Sequence, residues 1–102
     1  MREEIENIIN EIDSLLLDLL GPLRSSKTLN ANAIARLTQS LDRLSPLLAE
    51  EQLVPKVLVG KLWFIFTSML SEAEHAKDTR EQIEIAAWDI QERLRRIFGP
   101  RF

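Results

Sequence analysis

VPKVLVGKLWFIFTSML, residues 54–70, is the most apolar stretch of the 102-residue chain, and its reading decides the fold. A membrane-spanning helix needs about 20 predominantly apolar residues. This stretch carries Lys56 and Lys61 and is interrupted by Gly60, Thr67 and Ser68. It is therefore read as the buried helix of a soluble protein, with no membrane insertion. Pro55 suits a first helical position, where the missing N–H would have had no partner anyway. The predicted helix runs from Lys56 to about Lys77. Leu58, Val59, Leu62, Ile65, Phe66, Met69, Leu70 and Ala73 cover nearly half of its circumference, which should make it the most buried element.

Downstream, Asp78-Thr79 opens the next helix, where Thr79 with Gln82, or Asp78 with Glu81, fits a capping box. Ile83, Ala87, Ile90, Leu94 and Ile97 then form an alternating 4-3 stripe, closed by Gly99-Pro100. Upstream, Asn30 or Thr28 caps a helix over roughly 31–44, with Ile34, Leu37, Leu41 and Leu44 as its narrow stripe. Ser45-Pro46 breaks or kinks it, and a short helical turn is predicted at 47–51. The first helix spans roughly 2–20. Ile5, Ile8, Ile12, Leu15 and Leu19 follow 3-4 spacing, Ile9, Leu16 and Leu20 widen the stripe, and Gly21-Pro22 stops it. Residues 23–30 are left as a polar connector.

Four amphipathic helices with short connectors predict one all-α domain over residues 1–102, a four-helix antiparallel bundle in up-down-up-down order. A three-helix core with a swapped or peripheral fourth helix is the alternative topology. Charge supplies a separate argument. Residues 1–20 hold six acids against Arg2 alone, whereas Arg93, Arg95, Arg96 and Arg101 make the end of the chain basic. In an antiparallel bundle these clusters should face each other, the end of the fourth helix lying beside the start of the first.

Composition removes several function classes. The chain is 45% hydrophobic, which is too apolar for intrinsic disorder. Its net charge of -3 opposes nucleic acid or an anionic membrane as partner. The absence of cysteine excludes disulfides, thiolate-bound metals and thiol chemistry. MREEIENIINEID carries glutamates where a secretory signal needs a basic start and an apolar run, so a cytoplasmic location is expected.

His75 is the one residue of evident catalytic or ligating character. Glu72 and His75 have the i, i+3 spacing of carboxylate-bridged metal bundles, but such sites need the motif twice and this chain has no second histidine. A bundle with one exposed histidine also resembles histidine phosphotransfer domains. Their motif places a lysine three residues after the histidine and a small residue next, positions held here by Asp78 and Thr79, and a carboxylate repels a phosphoryl group. The plainer account of His75 is a cation-capable side chain in the last turn of its helix. Arg24-Ser25-Ser26-Lys27-Thr28 could hold an anion before the second helix, yet it lacks the glycines of a phosphate loop. No catalytic, metal or cofactor site is assigned.

The informative residues are apolar ones off the buried stripes. Ile85 and Trp88 fall about 140–200° from the stripe centre of the fourth helix. Val57 and Phe64 interrupt an arc otherwise made by Lys56, Gly60, Lys61, Ser68 and Ser71, while Leu17 sits among Asp13, Ser14 and Asp18. Trp63 falls at the border of its apolar arc. Either the connectors at 21–30 and 45–55 cover these side chains, or they form a contact patch. The expectation is a non-enzymatic protein–protein interaction module, self-associating and without cofactor, whose interface comprises Ile85, Trp88, Phe64, Val57 and Arg95. A bacteriocin or toxin immunity protein is the alternative, by analogy of architecture alone, and would direct attention to Arg95, Arg96, Arg101 and Phe102. A phosphotransfer or regulatory role through His75 is a further alternative.

Overall fold

Each of the four apolar stripes lies on an α-helix in the computed structural model, which describes residues 3–102. The helices are α1 (Glu3–Ser26), α2 (Ala31–Leu48), α3 (Lys56–Glu74) and α4 (Arg80–Phe98), and no strand occurs among the described residues. They form a four-helix bundle with a single hydrophobic core. The predicted start of α1 at Arg2 lies outside the described residues. No described helix is long and apolar enough to cross a membrane.

α1 does not stop at Gly21-Pro22 but continues to Ser26. Pro22 has no N–H to give Asp18, so that carbonyl loses its helical partner. The Asn30 amide fills the gap, donating from Nδ2 to the Asp18 carbonyl at 3.3 Å. The same side chain caps α2, its Oδ1 accepting the Ala33 N–H at 3.1 Å. The extra turn also places Leu23 fully inside the core, which favours extension over termination. Asn30→Ala removes both bonds and should cost about 1–2 kcal/mol. Asn30→Asp keeps the cap acceptor and should cost less. Urea midpoints at unchanged slope check this; equal losses in the two variants would contradict the dual role.

α1 closes with Lys27 in the left-handed region at φ 56°, its N–H on the Leu23 carbonyl at 3.1 Å and the Thr28 N–H on Pro22 at 3.3 Å. A lysine there is strained by about 1 kcal/mol. Its ammonium offsets that by donating to the Arg24 carbonyl at 3.1 Å and to Glu72 Oε1 at 2.7 Å. The Thr79 hydroxyl donates to the Lys27 carbonyl, so it does not cap α4 and the expected Thr79 box is absent.

α2 likewise runs through Pro46 to Leu48, because Leu48 keeps the phase of Leu41 and Leu44 and is buried with them. α3 ends at Glu74, earlier than expected, where the His75 and Ala76 N–H groups tighten the last turn onto Glu72 and Ala73 at 3.1 Å each.

The neighbour relations also differ from expectation. α1 packs against α2 and α3, and α4 packs against α3 and α2; among the described residues α1 and α4 do not pack together, nor do α2 and α3. The acidic start of α1 therefore does not meet the basic end of α4. Glu11 instead pairs with Arg36 of α2 at 3.0 Å and Asp13 with Lys61 of α3 at 2.5 Å. Arg93 reaches Asp42 of α2 at 3.0 Å as well as Asp89 on its own helix. Apolar stripes dictate which side of a helix is buried; they carry no information on which neighbour buries it. The Lys61–Asp13 and Lys27–Glu72 pairs hold α1 and α3 in the same direction, the first half of α3 beside the middle of α1 and their C-terminal ends together.

Candidate functional site

α3 is a corner of the bundle whose inner face is spent on the core, yet its outer face is also largely uncharged. Leu58, Leu62, Ile65, Phe66, Met69 and Ala73 point inward and are buried. Of the charged side chains between its two ends, Lys61 turns to Asp13 and Glu72 to Lys27. The outward surface is left to Val57, Gly60, Trp63, Phe64 and Ser71, with Thr67 half-buried beside them.

Five of the six aromatic residues are linked along the α3–α4 seam. Trp88 of α4 meets Phe66 edge-on at 6.1 Å, and Phe66 meets Trp63 at 6.0 Å. Trp63 takes the ring of Phe102 edge-on at 5.7 Å, and Phe102 stacks on Phe98 at 5.1 Å. Gly99 makes the last link possible. At φ 113° it adopts a backbone geometry that a side chain disfavours, and the chain folds back with the Phe102 N–H on the Gly99 carbonyl at 3.1 Å. Each such pair contributes about 0.5–1.5 kcal/mol beyond burial, so the rings hold one another in place. Phe64 stands on the other flank of α3, beneath the Arg24 guanidinium at 5.6 Å. It borders a shallow groove of about 330 Å³ lined also by Thr67, Ser68, Ser71 and Glu72.

Of the side chains singled out in the sequence, Ile85 is 61% exposed, Val57 54%, Trp88 51% and Phe64 47%, so the connectors do not cover them. They do not form one contiguous cluster. Trp88 leans across to α3 through Phe66, Val57 and Phe64 lie on the α1 flank, and Ile85 stands on the outer line of α4 among Glu81, Asp89 and Glu92. Arg95, two turns beyond Trp88, pairs with Glu92 of its own helix at 3.7 Å. Trp63, 50% exposed, belongs to the α3–α4 seam, where Phe66 and Phe102 support it and Phe98 in turn supports Phe102. The signal for these was present in the one-turn spacing of Trp63 and Phe66, but the partnership with Phe102 is a contact between distant parts of the chain.

The large exposed hydrophobics are Leu17, Leu53, Val57, Trp63, Phe64, Ile85 and Trp88. All lie on α3, on its neighbours α1 and α4, or on the connector leading into α3; α2, the helix across the bundle from α3, has none.

His75 sits exposed at the C-cap of α3, and Glu72 faces Lys27. Among the described residues, no three His, Asp or Glu side chains converge as a metal site would require. The Lys27 hydrogen bond is the chief reason that the Glu72 carboxyl lies below its ordinary value of 4.5; partial burial opposes it, and the charges of Lys27, Arg24 and His75 add to it. The ionised form is thus favoured by folding. Its contribution is present above the ordinary value and lost as the pH falls below it, through the lowered folded-state value. Thermal melts should show wild type more stable than Glu72→Gln at pH 7, with the difference shrinking below about pH 4. A pH-independent difference would contradict the assignment.

Compared with protein-family models, curated proteins and solved structures, the chain matches none.

Proposed function

We propose that the protein is a non-enzymatic interaction module that docks through the apolar face centred on α3, self-association being its first mode. The observation that carries this reading is the pair of half-exposed tryptophans, Trp63 and Trp88, on the α3–α4 seam, with Val57 and Phe64 exposed on the other flank of α3. Scattered apolar side chains are normal on any surface; three of them on one helix, two aromatic, beside a further tryptophan mark an interface. Trp63 and Trp88 are half-exposed yet braced by Phe66 and Phe102. Rings already fixed lose little conformational freedom on docking, so more of their burial appears as affinity. Arg95 and Glu92 on one side, and Lys61 and Asp13 on the other, supply a charged rim that orients the partner. The net charge of -3 suits a protein partner better than nucleic acid. A cysteine-free chain loses nothing in a reducing compartment, which fits a cytoplasmic site of action.

Trp88→Ala should weaken association about tenfold or more while leaving the far-ultraviolet circular dichroism unchanged. Sedimentation velocity across a concentration series checks this. Unchanged association, with the helical signal retained, would contradict the docking role of the α3–α4 seam.

A further inference from the structure

Along the α4-side border of its outer face, α3 carries a second heptad-like stripe whose two ends are oppositely charged and whose Leu70 is half-buried against the core. Lys56, Gly60, Trp63, Thr67, Leu70 and Glu74 follow one another at 4-3-4-3-4 spacing. Lys56 and Glu74, eighteen residues apart, are separated by five whole turns, about 27 Å, and therefore stand on one line of the helix. Both are exposed, and among the described residues neither has an ion-pair partner, whereas Lys61 and Glu72 have theirs. No charged side chain lies on the stripe between them.

The geometry points to a second copy of this chain as the occupant of the face, docked α3 against α3 in opposite directions about a two-fold axis level with residue 65. This rests on the docking role proposed above and specifies its partner and register. The stripe complements its own reverse in charge and in size. Running it backwards sets Lys56 opposite Glu74 of the second copy, and symmetry repeats that pair at the other end. Gly60 then faces Leu70, and Trp63 faces Thr67, so each large side chain meets a small one. Gly60 has nothing within 4 Å of where a Cβ would stand, leaving room for a partner side chain there. A parallel arrangement would instead stack Lys56 on Lys56 and Glu74 on Glu74, which like-charge repulsion disfavours. The two-fold also brings Trp88, beside the stripe on α4, to the border of the interface.

The test is charge reversal followed by sedimentation equilibrium. Lys56→Glu sets like charges against each other at both ends and should weaken dimerisation about tenfold. The double variant Lys56→Glu/Glu74→Lys should restore it to within about threefold of wild type, a rescue that no parallel arrangement gives. Because the chain has no cysteine, Lys56→Cys and Glu74→Cys proteins can also be mixed and oxidised. Disulfide should form between the two variants and not within either alone. If Trp88→Ala dissociates the dimer while charge reversal has no effect, or if Lys56→Cys cross-links to itself, the antiparallel register is overturned and the docking role of the face stands. A wild-type chain that is monomeric at all concentrations overturns both this inference and self-association.

Discussion

Leu62→Ala should lower the unfolding free energy by about 3–5 kcal/mol and the melting midpoint by at least about 10 °C. Leu62 is fully buried on the inner line of α3, one turn from Leu58 and from Ile65. Removing three of its carbons forfeits their transfer free energy and leaves a cavity. α3 packs against both α1 and α4, so a shift that closed the cavity on one side would open a gap on the other. The change therefore belongs toward the costly end of the Leu→Ala range. Leu62→Met, which nearly conserves volume, should cost under about 1.5 kcal/mol. Urea unfolding of the two variants checks the pair. A Leu62→Ala loss below about 1 kcal/mol would mean that α3 is not clamped between its neighbours.

The adjacent position should behave in the opposite way. Trp63→Ala is expected to weaken association about 30-fold or more, the effect of losing a central aromatic anchor. Its direct effect on the fold should be smaller than that of Leu62→Ala, because half of the indole already faces solvent. What the fold loses is the contact with Phe66 and the edge-on contact with Phe102, together about 1–3 kcal/mol. Without Trp63 the Phe102 ring keeps its stack on Phe98 and its packing against the core. Circular dichroism should report retained helix while sedimentation reports monomer. Association unchanged in the folded variant would remove Trp63 from the interface.

That contrast between neighbouring residues was partly legible in the sequence. Leu58, Leu62, Ile65, Phe66, Met69 and Ala73 recur at helical spacing and are buried, whereas Val59 and Leu70, read as part of the same arc, lie at its edges and are only half-buried. The strict stripe of α4 was equally legible, since Ile83, Ala87, Ile90, Leu94 and Ile97 are all buried. Gly21-Pro22 was misleading because the carbonyl that Pro22 abandons is satisfied from outside the helix. Asn30, eight residues downstream, satisfies it, and local composition does not show that. The pairing of α1 with α3 was not legible either. It depends on how residues 49–55 carry the chain across the bundle and on pairs such as Asp13 with Lys61, both non-local. In the candidate site, departure from the stripes singled out Val57, Phe64, Ile85 and Trp88 but left open whether the connectors cover them; the structure leaves all four exposed. The bracing of Trp63 by Phe102 did not, because it requires the reversal at Gly99.

The most direct test of the docking face is tryptophan emission and sedimentation mass recorded together on a dilution series of the wild-type chain. Both indoles are half-exposed in the single chain and lie on the face or at its edge. Emission should therefore shift to longer wavelength as the protein is diluted, in step with a fall from dimer to monomer mass. A monomer mass at every concentration, with emission that never moves, would contradict the account.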